Sequence, residues 1–518
     1  MATPRFFDRI ADASLPFLKG VLRRDFRAAL DRKVVVLEAP SDVDDLALAA
    51  GWSLSVNLCA RLYPKIRLLG DKSAVEAAAQ LILAINPNCD VTQSDGKGDA
   101  VLSWRASPST PGVFASAAGW NAIIDDDSKL GLPAAAPAAM AAAAIAVGEL
   151  FRTVFGELLG EKGRYSIEPG GFNLVSLMPR DDRPAIPPSF AIGKVHLVGA
   201  GALGEMAIVT LLAANAEGEL LVIDDQAVEL LNTQRYVLTV DTSEGALKVD
   251  LAELACRGSR IAVIRVPARW GLDQRAMAGS ADTVLVGVDS AVARIDIQAG
   301  LPRRIYNAFT GPFDLGWSRH EAFGSEACLA CLYWPIGTIP NTFEVIASDI
   351  GEHPLRVLSY LTSKLPVGMP LQPMQVPRLM AAPDDSATWL HRSLLDDLAQ
   401  KFGVSDTSPW ESMPLERLYN EAICGGGLVR QTIGTRGDLA VPLAHQSALA
   451  GVMLASQLLI ASEPSLAALR PPAIEARYNV FGRPSQSPSV PRSCVPTCIC
   501  SDDFYLTRSR EVNLPMPQ

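Results

Sequence analysis

Residues 194–204 read KVHLVGAGALG, and twenty residues after Gly204 the run LLVID ends on Asp224. Such a pattern belongs to an open α/β sheet. The apolar run 195–198 reads as a buried parallel strand, and Gly199, Gly201 and Gly204 let the chain turn sharply into a helix starting near Leu203, whose first N–H groups can face a phosphate. A carboxylate at the end of the next strand is placed to accept hydrogen bonds from ribose hydroxyls. Nicotinamide and flavin enzymes share this fingerprint, and on the glycines alone a redox cofactor is the better fit.

The polar residues further along the chain change that reading. Asn232 and Arg235 stand three apart and share a face of a helical turn, and Lys248 comes thirteen residues later, after a break expected over 241–245. Backbone N–H groups neutralise most of a dinucleotide's charge, whereas a triphosphate being cleaved needs cations and usually Mg2+. Asp289 closes VLVGVD (284–289), an apolar run read as another strand, which delivers its carboxylate to the carboxyl edge of the sheet where ligands collect. It is the candidate Mg2+ ligand. The plainer alternative is an ordinary strand end with scattered surface charges.

In this order, a glycine fingerprint, a strand-ending Asp, NxxR, a Lys thirteen residues on and an Asp closing a later strand, the segment resembles the ThiF, MoeB and HesA family. That family includes the adenylation domains of ubiquitin-activating enzymes. The likeness runs over about 192–500, with an insertion inside it. It implies that Gly199, Gly201 and Gly204 hold the phosphates of ATP, Asp224 the ribose, Asn232, Arg235 and Lys248 the phosphates again, and Asp289 Mg2+. Two positions depart from the family: Gln226 stands where a second acid is common, and Tyr236 where a Gln follows the Arg.

At 518 residues the chain is long for one core, so two or three domains are expected. A net charge of -10 argues against nucleic acid as a main partner, because binding a phosphate backbone needs a basic face. The start, MATPRFFDRIADAS, is interrupted by Asp8 and Asp12 and lacks an apolar core, so no signal peptide is expected. The longest apolar run, 130–148, is mainly alanine, contains Pro133 and Pro137 and is followed by Glu149 and Arg152; it reads as a buried helix rather than a membrane span. Nine cysteines without secretion point to metal or thiol chemistry in a reducing cytoplasm.

Those cysteines fall into groups. Cys328 and Cys331 form a CxxC, and Cys494, Cys498 and Cys500 cluster near the C-terminus. Two thiolate pairs complete a tetrahedral Zn2+ site, and many members of the family carry two such pairs in these places. Cys498 with Cys500 is the favoured second pair, Cys494 with Cys498 the other; a redox CxxC or metal-free thiols are the plain alternatives. Cys424 lies in NEAICGGGLVR, followed by three glycines. In the family's ubiquitin-like branch a cysteine in this crossover accepts the activated carboxylate as a thioester, and Cys424 matches it by order and context; the bland reading is a buried loop cysteine. Cys59, Cys89 and Cys256 are expected to be structural.

The N-terminal third reads as a degraded copy of the same unit. VVVLEAP (34–40) resembles a first strand, but SDVDDLALAAGWSL after it has acids in place of glycines and is expected not to bind nucleotide. The alanine-rich stretch 132–151 echoes 441–460, which points to internal duplication. RFFDRI (5–10) resembles the family's segment whose second arginine reaches the partner subunit's ATP, making Arg9 a candidate finger; a solvated helix arginine is the alternative.

Residues 170–193, with four prolines, read as a linker, and 387–402 as a helix with Leu390, Leu394, Leu395 and Leu398 at helical spacing. His353 and His391 are expected to be surface or packing residues. The expected fold is α/β: an inactive Rossmann-like domain over 1–180, then an active adenylation domain with a mixed or parallel sheet over 181–335 and 425–518, split by a cysteine-bearing insertion over 336–424. The resemblance implies a cytoplasmic enzyme that uses ATP, Mg2+ and Zn2+ to activate a ubiquitin-like protein and pass it to a conjugating-enzyme-like partner. It is most like a bacterial activating enzyme of an antiphage conjugation operon, acting as a monomer with pseudo-dimeric halves or as a homodimer. A sulfur-carrier adenylase of thiamine or molybdopterin type, a nicotinamide-dependent dehydrogenase and a non-catalytic scaffold are the rival readings.

Overall fold

The computed structural model describes residues 4–513, leaving aside 16–17, 19–20, 22, 43, 94–97, 107, 109–110, 127–130, 160–169, 178–183, 272–282, 312–313, 334–341, 373–390, 403–406, 409, 420–441, 473, 480–488 and 491–492. Contacts divide the chain into two units, Met1–Trp334 with Ala440–Gln518, and Pro335–Leu439.

The larger unit holds two sheets built to one plan. The first comprises β1 (Val35–Glu38), β2 (Lys65–Leu69), β3 (Asp90–Gln93), β4 (Ala100–Ser103), β5 (Gly112–Ala118), β6 (Asn121–Ile124) and β7 (Gly170–Asn173), in the order β3-β2-β1-β4-β5-β6-β7. The second comprises β8 (Phe190–Val198), β9 (Ala216–Ile223), β10 (Ile261–Val266), β11 (Thr283–Val286), β12 (Arg304–Thr310), β13 (Asp314–His320), β14 (Glu475–Asn479) and β15 (Ser489–Val490), in the order β10-β9-β8-β11-β12-β13-β14-β15. In each, the first five positions pair in parallel and the next pairings are antiparallel. The shared order supports descent of both halves from one unit.

Helices α1 (Phe7–Ser14), α2 (Arg23–Leu30), α3 (Leu46–Ala60), α4 (Lys72–Ile85) and α5 (Ala136–Leu159) accompany the first sheet, and α6 (Ala202–Ala213) and α7 (Lys248–Cys256) the second. Helix α6 is apolar nearly all round because it is enclosed on several sides, packing against α5, α7 and the long helix Ala444–Ser462. Helices α5 and Ala444–Ser462 are long and apolar enough to cross a membrane by length and composition, but 94% and 89% of their apolar windows are buried inside the protein and they pack on each other. Residues 170–193 are not a plain linker: β7 completes the first sheet and β8 begins at Phe190. The prolines there lie between the two strands.

The smaller unit has its own core, in which Leu394, Leu395 and Leu398 of helix Leu394–Phe402 pack with Ile350, Val357 and Tyr360. That helix starts later than its sequence suggests because Ser393 caps it, accepting the Asp396 amide at 3.0 Å; Leu390 lies outside the described residues. His353 caps helix Pro354–Ser363 by accepting the Leu355 amide at 3.2 Å, and His391 is exposed.

Candidate nucleotide site

The glycine turn forms where β8 ends. Gly199 adopts φ +92°, a left-handed conformation that favours glycine, and Gly201 caps α6 with no side-chain hydrogen bond. The α6 start is therefore open to an anion. The equivalent helix of the first half is closed: the Asp45 carboxylate accepts the amides of Ala47 at 2.8 Å and Leu48 at 3.0 Å at the head of α3. An internal carboxylate thus holds the position that a phosphate would take.

Strands β9 and β11 flank β8, so the residues just past their carboxyl ends meet the turn at the edge where the strand order reverses. Asp224 comes directly after β9 and ties the turn together. One carboxylate oxygen accepts the Ala200 amide at 2.8 Å and the other the Gln226 amide at 2.9 Å. Asp289 lies beyond β11, which stops at Val286 rather than running on through Gly287 and Val288. It is exposed, and no side chain among the described residues pairs with its carboxylate. Such an oxygen donor at the sheet edge fits a hard cation.

Asn232 sits in the 3-10 turn Leu230–Gln234, with Arg235 closing it. Arg235 itself leaves the helical conformation, at φ -141°. Asn232 also accepts the Glu229 amide at 3.0 Å. Lys248, only 3% exposed, opens α7. Its ammonium donates to Gln226 Oε1 at 2.5 Å and to the Tyr236 hydroxyl at 3.3 Å, and lies 5.1 Å from the Tyr236 ring centre. Both positions that depart from the family pattern are thus the partners of one cation. Helix α1, which carries Arg9, packs against the 3-10 turn Leu230–Gln234, and Arg5 beside it pairs with Asp241 and Glu244 at 3.3 Å.

Several participants carry no sequence signal, or one easily passed over. Glu205 is a lone acid in the apolar α6; it is buried, and it accepts the Leu238 amide at 2.7 Å. Burial pushes its carboxyl up to about 8, against the pull of Arg61 and Lys248. Asn57 and Arg61, from the first half, bind the loop 233–239 of the second. A cavity of about 310 Å³ lined by Arg303, Arg304, Glu321 and Arg470 lies at the other end of the sheet, where β12 begins.

The Sγ atoms of Cys328, Cys331, Cys498 and Cys500 all lie within 4.8 Å of one another, and all four residues are buried. Separations of 3.8 Å (Cys328 to Cys331), 3.6 Å (Cys328 to Cys498) and 3.3 Å (Cys331 to Cys500) suit a tetrahedron. Zinc–sulfur bonds of about 2.3 Å put sulfurs about 3.8 Å apart. Cys494 instead donates its thiol to the Glu326 carbonyl at 3.1 Å, which leaves the second pair to Cys498 and Cys500. Cys59, Cys89 and Cys256 are buried, and burial raises all three thiols. Cys424 lies outside the described residues.

Residues 191–313, which include the glycine turn, Asp224, Asn232, Arg235, Lys248 and Asp289, match the family model described as the ThiF family. "Uncharacterized protein y4jF" of Sinorhizobium fredii (strain NBRC 101917 / NGR234) is 32% identical over 535 residues, 98% of this chain and 97% of that protein. The chain belongs to the ThiF family. This ThiF-family protein is also 46% identical over 65 residues to the SAMP-activating enzyme E1 of Haloferax volcanii, a match that spans 12% of this chain and 24% of that enzyme. Among solved structures, E. coli MccB with MccA-N7isoASN aligns with a TM-score of 0.34 at 13% identity, over 60% of this chain and 67% of that one. PaaA aligns with a TM-score of 0.21 at 21% identity, over 24% and 40%. As a member of the ThiF family the chain is an E1-like adenylating enzyme.

Proposed function

We propose that this ThiF-family protein uses ATP to adenylate the C-terminal carboxylate of a small ubiquitin-like protein, then carries the acyl group on Cys424 as a thioester for a conjugating-enzyme-like partner. The observation that carries the first step is the gathering of the open α6 start, Asp224 and Asp289 after the neighbouring strands β8, β9 and β11, with Lys248 held beside them. A carboxylate oxygen attacks the α-phosphorus, the bond to the β-phosphate oxygen breaks, and pyrophosphate leaves. Arg235 and Lys248 offset the charge that grows on that leaving group. Mg2+, when bound, would supply further charge neutralisation, and Asp289 would hold it.

In the second step the Cys424 thiolate attacks the acyl carbon and AMP departs. Support for this step is the family resemblance and the position of Cys424 in the chain order, ahead of helix Ala444–Ser462. The self-capped α3 supports a silent first half, so that one chain holds one adenylation centre. The four buried thiols support a structural Zn2+.

The test is ATP–pyrophosphate exchange with purified candidate carriers, run beside a gel assay for a thiol-sensitive adduct. Wild type should catalyse exchange and form the adduct with one carrier. Cys424→Ala should keep exchange and lose the adduct. Exchange with no adduct in wild type would favour the sulfur-carrier reading, and no exchange with any carrier would overturn the adenylation of proteins.

A further inference from the structure

We propose that Arg61, a residue of the first half, is a positioning residue for the nucleotide site of the second. The proposal rests on the nucleotide reading of the glycine turn. Arg61 comes just after the last turn of α3 and is 1% exposed. Its Nε donates to Asn57 Oδ1 at 2.8 Å. One terminal nitrogen donates to the Thr233 carbonyl and to Thr239 Oγ1 at 3.4 Å, the other to the carbonyls of Val237 at 3.2 Å and Thr239 at 2.8 Å. A guanidinium carries five N–H donors in a rigid fork, and here there are five acceptors. Asn57 adds its own amide to the Val237 carbonyl at 3.0 Å.

The loop so held runs from Thr233 to Thr239 and contains Arg235 and Tyr236. Glu205 on α6, close enough for its charge to act on Arg61, takes the Leu238 amide at 2.7 Å. The loop is therefore held by both halves, by the first through its carbonyls and by α6 through an amide. Tyr236, in the loop so held, meets the Lys248 ammonium at 3.3 Å. Arg61 thereby reaches the phosphate-side cations through one short loop without touching nucleotide. This gives the first half, whose own helix start is closed by Asp45, a part in the chemistry of the second.

The experiment uses the full chain. Calorimetric titration with Mg2+–ATP gives affinity, and amide hydrogen exchange reads residues 232–240 directly. Arg61→Ala and Arg61→Lys are compared with Leu102→Ala, a buried core residue of β4 in the same half. Both Arg61 variants should weaken ATP about tenfold or more, in the range expected when a ligand-facing group moves by about an ångström. Both should speed exchange of the Tyr236, Leu238 and Thr239 amides. Leu102→Ala should lower Tm and leave affinity within about twofold, as a destabilised but undistorted site does.

Three results overturn the proposal: Arg61→Ala with wild-type affinity, Arg61→Lys with wild-type affinity and exchange, so that charge alone suffices, or Leu102→Ala losing as much affinity as Arg61→Ala. If the Arg61 variants do not fold, Asn57→Ala carries the same comparison, with faster loop exchange and weaker ATP binding expected and wild-type values overturning the role. A wild-type chain that binds no ATP would instead refute the nucleotide reading itself, and this role with it.

Discussion

A single methyl group at position 204 tests the phosphate turn. A Cβ there would lie 2.1 Å from the Gly199 carbonyl oxygen, whereas real Cβ atoms essentially never approach closer than 3.0 Å. The oxygen or the start of α6 must then retreat by about 0.9 Å, the difference between those two distances. Neither is soft. The Gly199 amide is fixed to the Ile223 carbonyl at 2.9 Å, and its carbonyl oxygen is close-packed on the Gly287 side as well. Overpacking of this kind costs about 1–3 kcal/mol, and the displacement falls on the amides that would face the phosphates. At about 1.4 kcal/mol for each tenfold, Gly204→Ala should weaken Mg2+–ATP binding by roughly 5- to 140-fold and lower Tm. Gly201→Ala is the milder comparison: its Cβ would meet the end of the Tyr236 side chain, with the hydroxyl at 3.3 Å, a contact that a shift of a few tenths of an ångström relieves. Calorimetric titration ranks the two. Wild-type affinity in Gly204→Ala, or a larger loss in Gly201→Ala, would falsify the role given to the turn.

Other expectations concern charge and metal. Glu205, raised by burial to about 8 from an ordinary 4.5, holds its proton more tightly folded than unfolded. Its contribution is therefore complete below about pH 4.5 and is lost as pH rises through about 8, at about 1.4 kcal/mol for each tenfold in proton affinity. Glu205→Gln should flatten the fall in Tm expected of wild type between about pH 4.5 and 8; an unchanged slope would mean that another group titrates. Purified protein should contain one zinc equivalent by mass spectrometry, lost in Cys498→Ser and kept in Cys494→Ser; zinc-free wild type ends that assignment.

The sequence was most readable where function is local. The strand, glycine turn and helix of 195–213 lie within one supersecondary unit, and Asp224 comes directly after the next strand, so adjacency in the chain matches adjacency in space. The turn around Asn232 was legible but its type was not, since a spacing of three suits both α and 3-10 turns. Arg61 was invisible because three of its five acceptors are backbone carbonyls 172–178 positions away, and carbonyls leave no mark on residue type. The second cysteine pair was ambiguous in sequence for the same reason: Cys494 is drawn off by the backbone carbonyl of Glu326. Residues 170–193 misled because four prolines outweighed the short apolar ends of β7 and β8.

Because Arg61 and the loop it grips belong to one polypeptide, this grip has no dissociation constant. Where two separate subunits brace each other's sites, dilution weakens the brace as the pair comes apart; a covalent link replaces that dependence with a fixed effective concentration. Dilution of the protein should then leave the hold of Arg61 on this loop unchanged.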